Sequence, residues 1–250
     1  MYKSRWLDSG GQRRVRGFSA ARIASMAIVT AAVLSFATTA FAQAPDSVHT
    51  PDAAQVPDRK GMETRLAACA FCHGKQGQGD LDRRGGVYPR LAGQPAGYLY
   101  EQMSQFVSGA RTGIPPVVVM RRLLENLTPD YMQRIAEFYQ NSTPAYPPPV
   151  PASAAKLQEG RELVERGVPA QHIPACTTCH GPNLEGQAPE IPALAGQNDR
   201  YLTVQFMHWI LDQRRNPLHQ RIAHTLSEQQ VQAVSAYLSS LRPQSADALK

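Results

Sequence analysis

The sequence predicts an all-α protein built as two tandem small helical domains, and three observations carry that expectation. The first is an internal repeat. Cys69-Ala70-Phe71-Cys72-His73-Gly74 returns as Cys176-Thr177-Thr178-Cys179-His180-Gly181, and Pro89-Arg90-Leu91-Ala92-Gly93-Gln94 returns as Pro192-Ala193-Leu194-Ala195-Gly196-Gln197. Tyr98-Leu99, Gln102 and Arg111 likewise find Tyr201-Leu202, Gln205 and Arg214. The second is a proline-rich stretch between the copies, with Pro144, Pro147, Pro148, Pro149 and Pro151, which can neither continue a helix nor join a sheet. The third is helical spacing of apolar residues in both copies, as in Ile135, Phe138 and Tyr139 or Val231, Val234 and Leu238.

In chain order, Lys3, Arg5, Arg13, Arg14, Arg16 and Arg22 precede an apolar run from Ile23 to Phe36, and Ala40-Phe41-Ala42 offers a small-x-small cleavage site. Residues 1–42 are read as a signal peptide, with an uncleaved membrane anchor as the competing reading. Residues 43–56, rich in Pro, Ala and Asp, read as a disordered lead-in. Residues 57–140 form the first domain, 141–153 the linker, 154–243 the second domain and 244–250 a tail. Helices are expected over 59–70 and 155–166 before the cysteines, and over 97–107 and 200–211 in mid-domain. Closing helices start at Thr128-Pro129 and at Ser227, where Gln230 completes a capping box.

The 26 basic and 20 acidic residues suggest a basic protein, but six of the former and one of the latter lie in residues 1–42. The remainder is nearly neutral, so the high isoelectric point reflects targeting and gives no support for nucleic-acid binding.

All four cysteines fall in the two Cys-x-x-Cys-His units. Two cysteines at that spacing reach the two vinyl groups of one haem, and the following histidine is placed under the iron as proximal ligand. The residues therefore predict two covalently bound haem c groups, held by Cys69 and Cys72 and by Cys176 and Cys179, with His73 and His180 on iron. A redox disulfide or a four-cysteine zinc site would also use Cys-x-x-Cys, but neither calls for the histidine, and zinc would have to join two domain cores.

With these motifs, with Ile173-Pro174-Ala175 before the second and with both Pro-x-Leu-Ala-Gly-Gln segments, residues 57–243 resemble the cytochrome c4 family of di-haem cytochromes. The resemblance implies two class I cytochrome c domains back to back, carrying electrons in the periplasm. Expected partners are redox proteins: a donor dehydrogenase or cytochrome complex and an acceptor oxidase or cytochrome, with membrane-surface association left open. It also implies a loop methionine as sixth ligand, seven residues before the leucine that precedes the last helix. Counting back from Leu127 gives Met120, whereas Met103 and Met132 lie inside expected helices.

The same count from Leu226 gives His219. The one methionine of this half, Met207, sits on a helix and reads as a packing residue. Ligation of the second iron by His180 and His219 is the leading expectation, with His224 or an open site as alternatives. Imidazole in place of thioether lowers the potential, so electrons should pass from the second haem to the first. The family further implies that the carbonyls of Pro89 and Pro192 accept the proximal His N–H, a contact that tunes the metal. Arg111 and Arg214 are candidates for haem propionates or for a solvated basic face, and Arg121-Arg122 for a docking patch. No catalytic constellation is evident, so the expected function is electron carriage. An open second haem would instead suit a peroxidase or sulfur-compound dehydrogenase, and a third reading is the electron-accepting subunit of a dehydrogenase complex.

Overall fold

Among the described residues, side-chain caps open four of the five longest helices, the exception being Ala96–Ser108, which follows Pro95. Thr128 Oγ1 accepts from Tyr131 N at 3.3 Å, Ser153 Oγ from Lys156 N at 3.3 Å, and Asn198 Oδ1 from Tyr201 N at 2.9 Å. Ser227 Oγ accepts from Gln230 N at 3.2 Å while Gln230 Oε1 accepts from Ser227 N at 2.9 Å, a complete capping box.

The computed structural model describes residues 59–79, 87–113 and 115–243. The expected signal peptide, lead-in and tail lie outside the described residues. The first half holds α1 (Arg59–Arg65), α2 (Ala67–His73), α3 (Ala96–Ser108), α4 (Pro115–Leu124) and α5 (Pro129–Gln140). The second repeats this order as α6 (Ala154–Arg166), α7 (Thr177–His180), α8 (Asp199–Ile210), α9 (Pro217–Thr225) and α10 (Glu228–Ser240). A short 3-10 turn, Pro169–Gln171, separates α6 from α7. Among the described residues the only β pairing is two isolated bridges, and no helix is long and apolar enough to cross a membrane.

Two expectations change here. The single helix over 59–70 is two helices broken at Leu66, the second running on to His73. The loops expected around Met120 and His219 are helices α4 and α9. Each begins with proline, which is suited to a first turn whose N–H groups lack helical partners. Asn216 caps α9 by accepting from the His219 N–H at 3.1 Å. Proline beside a run of valines reads as a loop in sequence, and only packing against α3 makes it helical.

Each half has its own core. In the first, Met62, Leu66, Leu99, Met103, Phe106, Leu124, Met132, Ile135 and Tyr139 are buried together; in the second, Val164, Leu184, Leu202, Val234 and Leu238 are. Helix α6 crosses α10 at Gly160, where a Cβ would strike the Ala233 carbonyl, so the absent side chain sets the approach.

The proline-rich linker is held by both halves. Tyr146 lies under the guanidinium of Arg90, 3.9 Å from the ring centroid, and under that of Arg242 at 5.8 Å. Arg90 also donates to Pro144 O at 2.9 Å and Arg242 to Pro147 O at 2.7 Å. Backbone bonds cross between the halves as well, from Tyr98 N to Pro189 O and from Thr112 N to Gln213 O, both at 2.9 Å.

Candidate haem sites

Helices α2 and α7 each end on their histidine, so the cysteine pair and the imidazole are presented from one short element. His73 and His180 are both buried. Nδ1 of His73 lies 3.1 Å from Pro89 O, and Nδ1 of His180 lies 2.8 Å from Pro192 O. A carbonyl can only accept, so each Nδ1 carries the hydrogen and each Nε2 keeps a free lone pair. Burial holds both imidazoles below their ordinary pKa, with the proline carbonyls offsetting part of the effect. Neutral imidazole is the form that binds a metal.

No two of the four cysteines are joined in a disulfide. Before attachment, burial pushes the Cys69 thiol up and the Cys176 thiol up to about 11. Among the described residues no group of three or more His, Cys, Asp or Glu converges as a metal cluster, which counts against the four-cysteine zinc reading.

The second half contains a cavity of about 460 Å³ lined by Cys176, Cys179, His180, Trp209 and His219 among others, a size suited to an organic cofactor. The rings of His180 and His219 have centroids 6.1 Å apart and planes at 81°. Two imidazoles bound to one metal from opposite sides, at about 2.0 Å each, would bring their centroids to roughly 6.3 Å. The separation is the one that a single iron held between the two rings would require. His219 is pulled down to about 4 by burial, with His180 and Arg214 adding to the effect, so it too is neutral. His224 is exposed and does not line the cavity. In the first half Cys69 and Met120 are both partly buried against the same core cluster. Met103 and Met132 are buried in that cluster, while Met207, expected to pack, is 50% exposed on α8.

The second observation that bears on a cofactor is the charge between the halves. Arg111 is 5% exposed, and among the described residues neither it nor Arg214 forms an ion pair. Arg111 reaches Gln102 and Gln205 at 2.9 Å, and Arg214 reaches the same two residues at 3.0 Å. Arg111 is buried and Arg214 half-buried, and Arg214 also donates to the Tyr98 hydroxyl at 3.4 Å, so this is not a solvated basic face; guanidiniums held only by neutral groups suit anions, which haem propionates are. The surface pair differs: Arg121 and Arg122 are exposed, and Arg122 is engaged by Glu125 at 3.1 Å. The donor set, the cavity and the buried cations together fit haem.

Sequence reasoning passed over two aromatic neighbours. Trp209 stacks on His219 at 4.5 Å and 27°, and the Arg214 guanidinium lies over the indole, 5.1 Å from its centroid. The repeat places Phe106 there in the first half, under Arg111 at 4.4 Å. His208 was missed too: it is 3% exposed with neither ring nitrogen partnered, and burial followed by the nearby Arg111 and Arg214 lowers it to about 4. The available signal was the substitution within the repeat, Gln105 to His208 and Phe106 to Trp209.

The family model Cytochrome c matches residues 157–242. A thiosulfate dehydrogenase electron acceptor from Thiomonas intermedia (strain K12) is 35% identical over 177 residues, covering 69% of this chain and 78% of that protein. Cytochrome c4 of Azotobacter vinelandii is 31% identical over 195 residues, covering 74% of this chain and 89% of its own. Among solved structures, reduced recombinant cytochrome c4 from Pseudomonas stutzeri superposes with a TM-score of 0.64 at 27% identity, covering 75% of this chain and all of that one.

Proposed function

The chain belongs to the cytochrome c4 family and is a di-haem c-type cytochrome, an electron carrier with two covalently bound haem c groups; from that premise we propose that its two halves ligate haem differently and so hold electrons at different potentials. When bound, each haem supplies one reversible one-electron couple at its iron. Cys69 and Cys72 attach the first through thioethers and Cys176 and Cys179 the second. His73 and Met120 would hold the iron of the first haem, and His180 and His219 that of the second. Pro89 and Pro192 fix the tautomer of the proximal imidazoles, which leaves Nε2 free for the metal. Arg111 and Arg214 offer their guanidiniums to the propionates.

The observation that carries this reading is the pair of neutral imidazoles facing each other at 6.1 Å across the cavity of the second half. An imidazole favours ferric iron more than a thioether does, so the second half is the lower-potential side. With those ligands, electrons would be taken in there and would leave from the Met120 half. The chain works in the periplasm, between a donor dehydrogenase or cytochrome complex and an acceptor oxidase or cytochrome.

Low-temperature EPR of the purified holoprotein tests the ligands. The expected result is one His/Met and one bis-His low-spin signal. In His219→Met the bis-His signal should vanish and the second potential should rise by at least the ~59 mV that changes electron sharing tenfold. A high-spin signal that shifts with cyanide would overturn the His219 assignment.

A second reading concerns the donor. Relatives described as thiosulfate dehydrogenase electron acceptors favour a role as the electron-accepting subunit of a dehydrogenase. Co-purification with a catalytic partner, and reduction of the holoprotein by that partner with its substrate, would establish it; reduction only by small mediators would set it aside.

A further inference from the structure

The two proximal histidines are each anchored on a peptide group that the opposite half grips. In the second half His180 Nδ1–H donates to Pro192 O at 2.8 Å. That oxygen belongs to the Pro192–Ala193 peptide, whose N–H donates to Oε1 of Gln94 at 2.9 Å, while Gln94 Nε2 donates to Ala193 O at 2.9 Å. Gln94 belongs to the first half. The mirror image is complete: His73 Nδ1–H donates to Pro89 O at 3.1 Å, the Pro89–Arg90 peptide donates its N–H to Gln197 Oε1 at 2.6 Å, and Gln197 Nε2 donates to Arg90 O at 3.0 Å.

We propose that Gln94 and Gln197 are crossed positioning residues, each setting the hydrogen bond, and through it the potential, of the proximal histidine in the opposite half. The proposal rests on the proximal roles of His73 and His180 given above and not on the identity of either sixth ligand.

The physical route is short. A peptide group is one conjugated unit, so an acceptor on its N–H shifts charge onto its oxygen and makes that oxygen a stronger acceptor. The proline oxygen then draws harder on the imidazole N–H, the ring becomes more electron-rich, and Nε2 stabilises ferric iron. Gln94 and Gln197 are 4% and 5% exposed, so water does not compete for these bonds. A pair of amides serving only to join the halves would be satisfied by any two peptides. These fall, in both copies, on the one peptide whose oxygen takes the proximal histidine. The crossing also makes each potential depend on the docking of the two halves, since separating them removes the acceptor from both peptides at once.

The test uses the holoprotein with potentials resolved for each haem by spectroelectrochemistry. Gln94→Met keeps the side-chain length and removes the acceptor; the potential of the second-half haem should rise by a three- to tenfold change in electron sharing, tenfold being about 59 mV, while the first-half haem stays put. Gln197→Met should do the reverse. Gln94→Glu, which keeps an acceptor oxygen and strengthens it, should lower the second-half potential, and this opposite sign separates tuning from a merely loosened interface. Equal shifts at both haems, shifts at the haem of the substituted half, or no shift would overturn the proposal. The ligand reading stands or falls separately on the wild-type EPR, so a variant with unchanged low-spin signals and unmoved potentials would sink the crossed relay alone.

Discussion

The two halves run through the same five helices in the same order, yet they differ in the residues that face the sixth-ligand position. Each keeps Cys-x-x-Cys-His, the proline whose carbonyl meets the imidazole, the glutamine that reaches across, and the Gln–Arg pair between the halves. The differences that bear on the sixth ligand lie on the third and fourth helices of each copy. Met120 on α4 corresponds to His219 on α9, Phe106 on α3 to Trp209 on α8, and Gln105 to His208. Gln105 is paired with Glu101 at 2.8 Å near the surface, whereas His208 is buried without a partner. On the side that attaches the cofactor and joins the halves, the glutamines and arginines each bond residues of the opposite half. On the proposed ligand set, the exchange of Met120 for His219 is what would set a different potential in each half.

The strongest way to break the comparison is to remove one attachment at a time. Replacing Cys176 and Cys179 with Ala should lower the covalent haem content to one group per chain, read from the pyridine haemochrome spectrum. It should also unfold much of the second half, whose core is completed by the cofactor, with a clear loss of helical circular dichroism. Replacing Cys69 and Cys72 should do the same to the first half. A chain that kept its full helicity without haem would show that the apolar clusters suffice.

A smaller effect separates His208 from Gln105. The ordinary imidazole pKa is 6.5 and the folded value is about 4, so between these limits the unfolded chain binds a proton that the folded chain refuses. Stability contributed by the neutral ring is therefore present above pH 6.5 and is lost as the pH falls toward 4. In His208→Gln, denaturant midpoints measured across that window should fall less steeply than in the wild type. An unchanged slope would mean that another group carries the acid sensitivity.

The smallest difference is at the closing helices. Thr128→Ala removes one capping bond and should cost about 1 kcal/mol. Ser227→Ala also strands the reciprocal partner Gln230 and should cost slightly more, read from urea midpoints of the holoprotein. Equal losses would mean that the reciprocal bond adds nothing.

Much of this was legible in the sequence because it depends on fixed spacing. The cysteine–histidine units, the repeat, the linker prolines and the caps at Thr128 and Ser227 are local patterns whose geometry follows from a few neighbouring residues. Helices α4 and α9 were not legible: Pro115-Pro116-Val117 carries no helical signal of its own, and α4 is held by its packing on α3. The position of Met120 and His219 could be counted along the chain, but not the 6.1 Å between His180 and His219, which depends on how α7 and α9 are brought to one cavity. Nor did the repeated Gln94 and Gln197 announce that each would bond the backbone of the other half. Sequence by itself determined the chemistry at each attachment site, since covalent attachment needs only a short motif. Tertiary structure alone decided which half each glutamine serves, because a hydrogen bond between residues about a hundred positions apart exists only once both cores are docked.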